Sequence, residues 1–126
     1  MSTRQEVKLP LTGVKVLDIS RVLTGPFATM LLGDLGAEII KVEMPGTGDE
    51  TRAWGPPFIE GESAYFLSIN RNKKSITVNL KAPEGKEIIY RLAKEADVMI
   101  ENFLPGTVQR LGLDYEKIKE FNPGII

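Results

Sequence analysis

Four short runs rich in β-branched and apolar residues recur along the chain: VKVLDIS (14–20), AEIIKVE (37–43), SITVNL (75–80) and DVMIEN (97–102). Each is too short for a helix and reads as a strand, with Ile76, Val78 and Leu80 sharing one face of the third. The segments between them carry helical periodicity. TGPFATMLLGDLG has Pro26 near a helix start, Gly36 at its stop, and Phe27, Met30, Leu31 and Leu35 as an apolar stripe. Pro83 opens a second helix to about Ala96, with stripe Ile88, Ile89, Leu92 and Ala96. After the fourth strand, FLPGT leads into a short helix ending at Gly112, Asp114 caps another that Asn122 and Pro123 close, and the last residues, GII, look like the first step of a further strand. Strands alternating with helices predict an α/β fold built on a doubly wound, mainly parallel sheet with right-handed crossovers.

Two segments read differently. ESAYFLSINRN suggests a helical turn, and residues 44–61, rich in glycine and proline, read as a long irregular loop of the kind that is often functional. Residues 1–10 form a polar leader without the apolar core of a signal peptide, and no apolar run approaches the ~20 residues of a membrane span. With neither cysteine nor histidine, the chain has no disulfide, thiolate nucleophile or imidazole base, so any chemistry falls to carboxylates, lysines, hydroxyls or backbone. These features predict a soluble, cytoplasmic chain with no metal site.

A formal net charge of -1 gives no reason to expect a nucleic-acid or membrane partner, but it hides a division. Residues 71–94 carry seven bases against two acids, whereas residues 34–63 carry seven acids against two bases. Within the basic stretch, Lys81 stands at a strand's carboxyl end beside a helix start, where backbone N–H groups favour anions. Arg71, Lys73 and Lys74 lie six or more residues away, too far on a strand rising ~3.3 Å per residue to share one phosphate with Lys81. They could touch a long, multiply charged ligand or a partner subunit, or simply face water.

In doubly wound sheets, ligands gather outside the carboxyl ends of the strands. That rule selects Ser20–Thr24, Met44–Gly48, Lys81 and Asn102–Leu104. The turn after the first strand, SRVLTGPFA, lacks the glycine pattern of a dinucleotide fingerprint, and Gly85-Lys86 is followed by Glu87 inside a helix rather than completing a P-loop. Asp18, inside a strand, reads as a buried structural carboxylate, while Glu43 and Asp49 lie nearer the ligand end. Trp54 suits either an aromatic ligand or loop anchoring, and Arg110 either a salt bridge or a phosphate clamp.

The ordered set LTGVKVLDISRVLTGPFATMLLGDLGAEIIKVEMPGTGDETRAWGPP, YFLSINRNKKSITVNLKAPEGKE and DVMIENFLPGTVQRLGLDYEKIKEFNPGII resembles the N-terminal part of the class III coenzyme A transferases. That family includes carnitine-type CoA transferases, formyl-CoA transferase and alpha-methylacyl-CoA racemase. The resemblance runs from Leu11 to Ile126 and implies a Rossmann-like CoA-binding domain, incomplete at its C-terminal side, from an intertwined homodimer that acts on acyl-CoA and carboxylic acids. Carried over residue by residue, it implies CoA contacts at Leu23, Thr24, Met44, Val78, Asn79, Leu80, Lys81, Asn102, Phe103, Leu104 and Arg110. Some members have a basic residue where this chain has Met44. The family's transfer reaction uses an aspartate that attacks the acyl-CoA carbonyl and forms a mixed anhydride. That residue follows a glycine-rich segment beyond the position of Ile126, so the chain is expected to hold no catalytic residue and to be inactive alone. The racemase branch and a stand-alone CoA-binding module are the alternatives.

Overall fold

The computed structural model describes residues 8–126, so the leader lies outside the described residues apart from its last three. The elements in chain order are strand β1 (Lys15–Asp18), helix α1 (Thr24–Asp34), β2 (Glu38–Glu43), a 3-10 turn (Glu50–Ala53), β3 (Phe58–Ile59), β4 (Glu62–Ser63), α2 (Ala64–Ile69), β5 (Lys73–Thr77), α3 (Pro83–Glu95), β6 (Val98–Ile100), α4 (Thr107–Leu111) and α5 (Tyr115–Ile118). Four strands form one parallel sheet in the order β5-β2-β1-β6. The chain runs outward from β1 to β5 and then crosses back to β6, which puts the reversal of strand order beside β1. No helix among the described residues is long and apolar enough to cross a membrane.

Alternation along the strands gives the sheet two different faces. Leu17, Ile19 and Val42 point toward α3 and α5, where they join Ile89, Ala93, Leu113 and Ile118 in the larger apolar core. Val16 and Ile39 point the other way, toward α1, with Leu32, Val98 and Ile100 packed around them. On this second face the remaining inward positions are polar: Asp18, Lys41, Glu43, Lys73 and Ser75. Every buried side-chain polar atom among the described residues has a partner, as burial requires.

That polar face explains a difference from the sequence reading of α1. The expected stripe is largely outside: Phe27, Leu31 and Leu35 are each nearly half exposed, and only Met30 is buried. The helix turns its small residues inward instead, burying Gly25, Pro26, Thr29 and Gly33. A Cβ on Gly33 would come within 3.3 Å of Ile39 and Asn72, so the close approach of helix to sheet uses the missing side chain. On α3 the stripe holds at Ile89 and Ala96, with Leu92 partly buried against the core, but Ile88 faces outward and Gly85 and Ala93 complete the buried side.

Two boundaries also move. The third long strand begins at Lys73 and ends at Thr77, so Val78, Asn79 and Leu80 form the connection to α3 rather than the strand itself. Residues 44–61 are not wholly irregular: they hold the 3-10 turn and one strand of a β3–β4 hairpin. At the other end of the chain, Met99 N donates to Ile126 O at 2.9 Å and Ile126 N donates to Asp97 O at 3.1 Å. These bonds straddle Val98 in the spacing of a parallel pair, continuing the sheet beyond β6.

Candidate functional site at the carboxyl ends of the strands

A cavity of about 520 Å³ opens where β1, β2, β5 and β6 end. Its walls come from Ile19 and Arg21 after β1, Met44 and Thr47 after β2, the connection Val78–Lys81, and Phe103 and Thr107 after β6. Three local structures shape it.

The first is the β5–α3 connection. Asn79 folds its side chain back to accept from Lys81 N at 3.0 Å, and its carbonyl accepts from Ala82 N at 3.1 Å. Pro83 then starts the helix, its fixed φ suiting that position. Gly85 lies so close to the Asn79 carbonyl that an added Cβ would stand 1.9 Å from the oxygen, which accounts for the Gly-Lys pair without any P-loop. The connection leaves Lys81 exposed at the rim, with no ion pair among the described residues.

The second is the β1–α1 turn. Arg21 N donates to Asn102 Oδ1 at 2.9 Å and Arg21 O accepts from Asn102 Nδ2 at 2.7 Å, so one amide side chain grips both sides of the turn. The Arg21 guanidinium bonds Glu50 at 2.6 Å and lies over the Phe103 ring at 5.2 Å. Between these ties Val22 has φ 68, a left-handed conformation that a β-branched residue rarely adopts.

The third is the buried polar layer beneath the cavity. Lys41 Nζ, almost wholly buried, bonds Asp49 Oδ2 at 2.9 Å and Ser20 O at 3.2 Å. Asp49 also accepts from Thr51 N and Oγ1 at 3.0 and 2.8 Å; these bonds and Lys41 outweigh its burial and hold its carboxyl below the usual range. Glu43 accepts from Arg52 twice, at 2.7 and 2.8 Å, from Ser75 Oγ at 2.7 Å and from Asp49 N at 2.8 Å. Burial alone would raise its pKa, but these donors bring it down to about 2. Farther from the cavity, Asp18 accepts from Ser20 N at 2.9 Å, from the Ser20 hydroxyl, and from Thr29 Oγ1 at 2.5 Å, with Lys73 Nζ 3.5 Å away. Burial pulls the Lys73 ammonium down to about 8 although Asp18 opposes it. Glu43 and Asp49 border the cavity, in keeping with their expected place near the ligand, but both are saturated by protein donors, a role that the sequence does not reveal.

Of the positions expected to meet a ligand, Met44, Val78, Asn79, Leu80, Lys81 and Phe103 border the cavity. Leu23, Thr24, Asn102, Leu104 and Arg110 do not, although all five belong to segments that begin at or beside it. Leu23 and Thr24 stand exposed at the N-terminus of α1, and Leu104 is 80% exposed. Asn102 is engaged with Arg21, and the Arg110 guanidinium, among the described residues, bonds only Thr107 Oγ1, at 2.9 Å. Arg21, Thr47 and Glu50 line the cavity and were not singled out individually, though Arg21 and Thr47 fall in the windows that the strand-end rule selects. The three cations ahead of β5 and at its start are tied down elsewhere: Arg71 bonds Asp34 at 3.0 and 2.7 Å, Lys73 is buried, and Lys74 meets Glu38 at 3.1 Å. Trp54 packs edge-on against Tyr65, its ring centroid 5.2 Å away, and does not border the cavity. No group of three or more acidic residues among the described residues could hold a metal ion.

Residues 11–126 match the family model for CoA-transferase family III. The chain is 63% identical over 117 residues to the human succinyl-CoA:glutarate CoA-transferase, covering 93% of this chain and 27% of that protein. It is 47% identical over 116 residues to formyl-CoA:oxalate CoA-transferase from Afipia carboxidovorans, with 92% and 27% covered. A solved CAIB/BAIF family protein from Brucella suis superposes with TM-score 0.90 at 51% identity, covering 94% of this chain and 32% of that one. The chain thus spans between a quarter and a third of the length of these relatives, on the N-terminal portion of the family. With a sheet, connections and sequence that follow the family across all but the first ten residues, the chain belongs to CoA-transferase family III.

Proposed function

We propose that the chain forms the CoA-holding side of a class III CoA transferase, which moves CoA between an acyl-CoA and a carboxylic acid. The observation that carries this reading is Lys81: an exposed ammonium, without an ion-pair partner among the described residues, on the rim of a cavity whose nearby walls are Val78, Leu80, Met44 and Phe103. Coenzyme A presents the matching chemistry, an adenine for apolar walls and a 3′-phosphate and pyrophosphate for charge-assisted donors. In this reading Arg110 on α4 supplies a second cation, and Leu23, Thr24, Asn102 and Leu104 meet CoA from the connections that follow β1 and β6.

In the complete enzyme, an aspartate outside these 126 residues attacks the thioester carbonyl. Its carboxylate oxygen bonds the carbonyl carbon, the carbon–sulfur bond breaks, and CoA leaves as the thiolate, with a mixed anhydride on the aspartate. The thiolate then attacks the aspartyl carbonyl and frees the donor acid. The acceptor carboxylate attacks the resulting aspartyl thioester to give a second anhydride, and CoA takes the acceptor acyl group from it and frees the aspartate. Holding the nucleotide keeps that thiolate beside the site between the two halves of the transfer, replacing a bimolecular encounter by a local one. The names of the relatives point to a dicarboxylic acid as the CoA acceptor and a short acyl-CoA, such as succinyl-CoA or formyl-CoA, as the donor. The exposed row Phe27, Leu31 and Leu35 on α1 favours a homodimer or further chain covering that helix. The reading includes a cytoplasmic setting and no turnover by the chain alone.

Amide shifts on titration with coenzyme A test it. Residues 78–81 and Phe103 are expected to move, while the outer surface of α3 stays still; incubation with succinyl-CoA and glutarate is expected to give no glutaryl-CoA. Shifts confined elsewhere, or steady product formation by this chain, would refute the proposal.

A further inference from the structure

The cavity depends on a turn that its own sequence does not favour. Val22 has φ 68, a conformation costing a β-branched residue on the order of 1–3 kcal/mol, which persists only where the surroundings over-determine it. The surroundings here are identifiable. Asp49 Oδ2 accepts from Val22 N at 3.3 Å and, on the same oxygen, from Lys41 Nζ at 2.9 Å; Lys41 Nζ also bonds Ser20 O at 3.2 Å. Two buried charges from β2 and the glycine-rich segment thus hold the residues on both sides of Arg21, which itself lines the cavity and lies over Phe103.

We infer that Lys41 and Asp49 are a positioning pair, whose work is to lock the β1–α1 turn in its left-handed form and so preorganise the cavity for the CoA nucleotide; the second half of this statement rests on the function proposed above. Neither side chain needs to touch the ligand. The alternative is a pair that merely fills the interior, and buried ion pairs often can be replaced at little cost to stability.

The test is the double variant Lys41→Met/Asp49→Asn in the 126-residue chain. It removes both charges together and keeps an amide oxygen for the Thr51 donors, leaving the amide nitrogen to face Val22 N–H, donor against donor. Hydrogen exchange of the Val22 amide is expected to speed up at least tenfold while the amides of Leu17 and Ile39 keep their protection. The Kd for coenzyme A is expected to weaken by about tenfold, and adding Val22→Gly to recover at least half of the logarithmic loss, because glycine adopts positive φ freely. Unchanged Val22 exchange, or a loss of affinity that Val22→Gly does not relieve, would overturn the inference. Should the unaltered chain fail to bind coenzyme A, the proposed function falls, and exchange at Val22 still decides the lock. Should the double variant not fold, Val22→Gly alone decides: a higher urea midpoint supports a turn held against its preference, and a lower one refutes it.

Discussion

The two faces of the central sheet are built from different materials. Toward α3, Leu17, Ile19, Val42 and Ile89 make an ordinary apolar layer. Toward α1, the same strands present Asp18, Lys41, Glu43 and Lys73, each buried and each bound to named partners. Apolar contacts are non-directional and tolerate many arrangements, whereas a buried carboxylate is satisfied only when particular donors stand in particular places. The apolar face supplies cohesion. The polar face fixes where the β1–α1 turn and the glycine-rich segment lie, and these form two walls of the cavity.

This contrast can be broken most forcefully at Asp18. Asp18→Ala leaves Thr29, Ser20 and the Lys73 ammonium without their shared acceptor, and removing one partner of a buried charged group costs about 3–5 kcal/mol. Urea denaturation is expected to show a chain unfolded or close to it. The next effect is a pH dependence confined to the polar face. Glu43 titrates in the folded chain at about 2 against 4.5 for the free side chain, so its contribution is complete above pH 4.5 and is lost as the pH falls toward 2. A displacement of that size corresponds to about 3 kcal/mol. Urea midpoints measured across this window should fall with acid in the unaltered chain and much less in Glu43→Gln. On the apolar face, Ile89→Val should cost about 1 kcal/mol, from one lost methylene and the small void it leaves, with no added pH dependence. Smallest is Lys81→Ala, outside both layers, whose effect on the urea midpoint should stay within about 0.5 kcal/mol.

The legible part of this structure follows from local pattern. Strand–helix alternation gave the parallel sheet, and Pro83, Gly112 and Asp114 mark helix ends where they were expected, whereas α5 stops at Ile118, short of the expected Asn122. Asn122 instead ties the chain after α5 back to α3, its Nδ2 donating to Ala93 O and Ala96 O at 2.9 and 2.7 Å. The illegible part depends on partners distant in sequence. Hydrophobic periodicity assigns Phe27, Leu31 and Leu35 to the interior, but α1 lies against a polar sheet face that accepts Thr29, and it approaches through Gly25 and Gly33. The start of β5 was hidden because Lys73 resembles a surface residue until Asp18, on a strand 55 positions earlier, is placed beside it. The glycine-rich segment looked irregular because its order comes from Glu43–Arg52, Lys41–Asp49 and Arg52 over the Phe66 ring at 3.8 Å, none of which has a local signature. At the candidate site, the strand-end rule and the family resemblance both led to Lys81 and the residues before it, but neither separates groups bordering the cavity from groups that hold its walls, such as Asn102.

Calorimetric titration of the 126-residue chain with coenzyme A tests the central claim most directly. A single saturable site is expected, weakened about tenfold or more by Lys81→Ala with the folded state intact, as for loss of a charge-assisted bond of about 1.5–3 kcal/mol. A folded chain that gives no binding heat, or that binds coenzyme A equally well without Lys81, would contradict it.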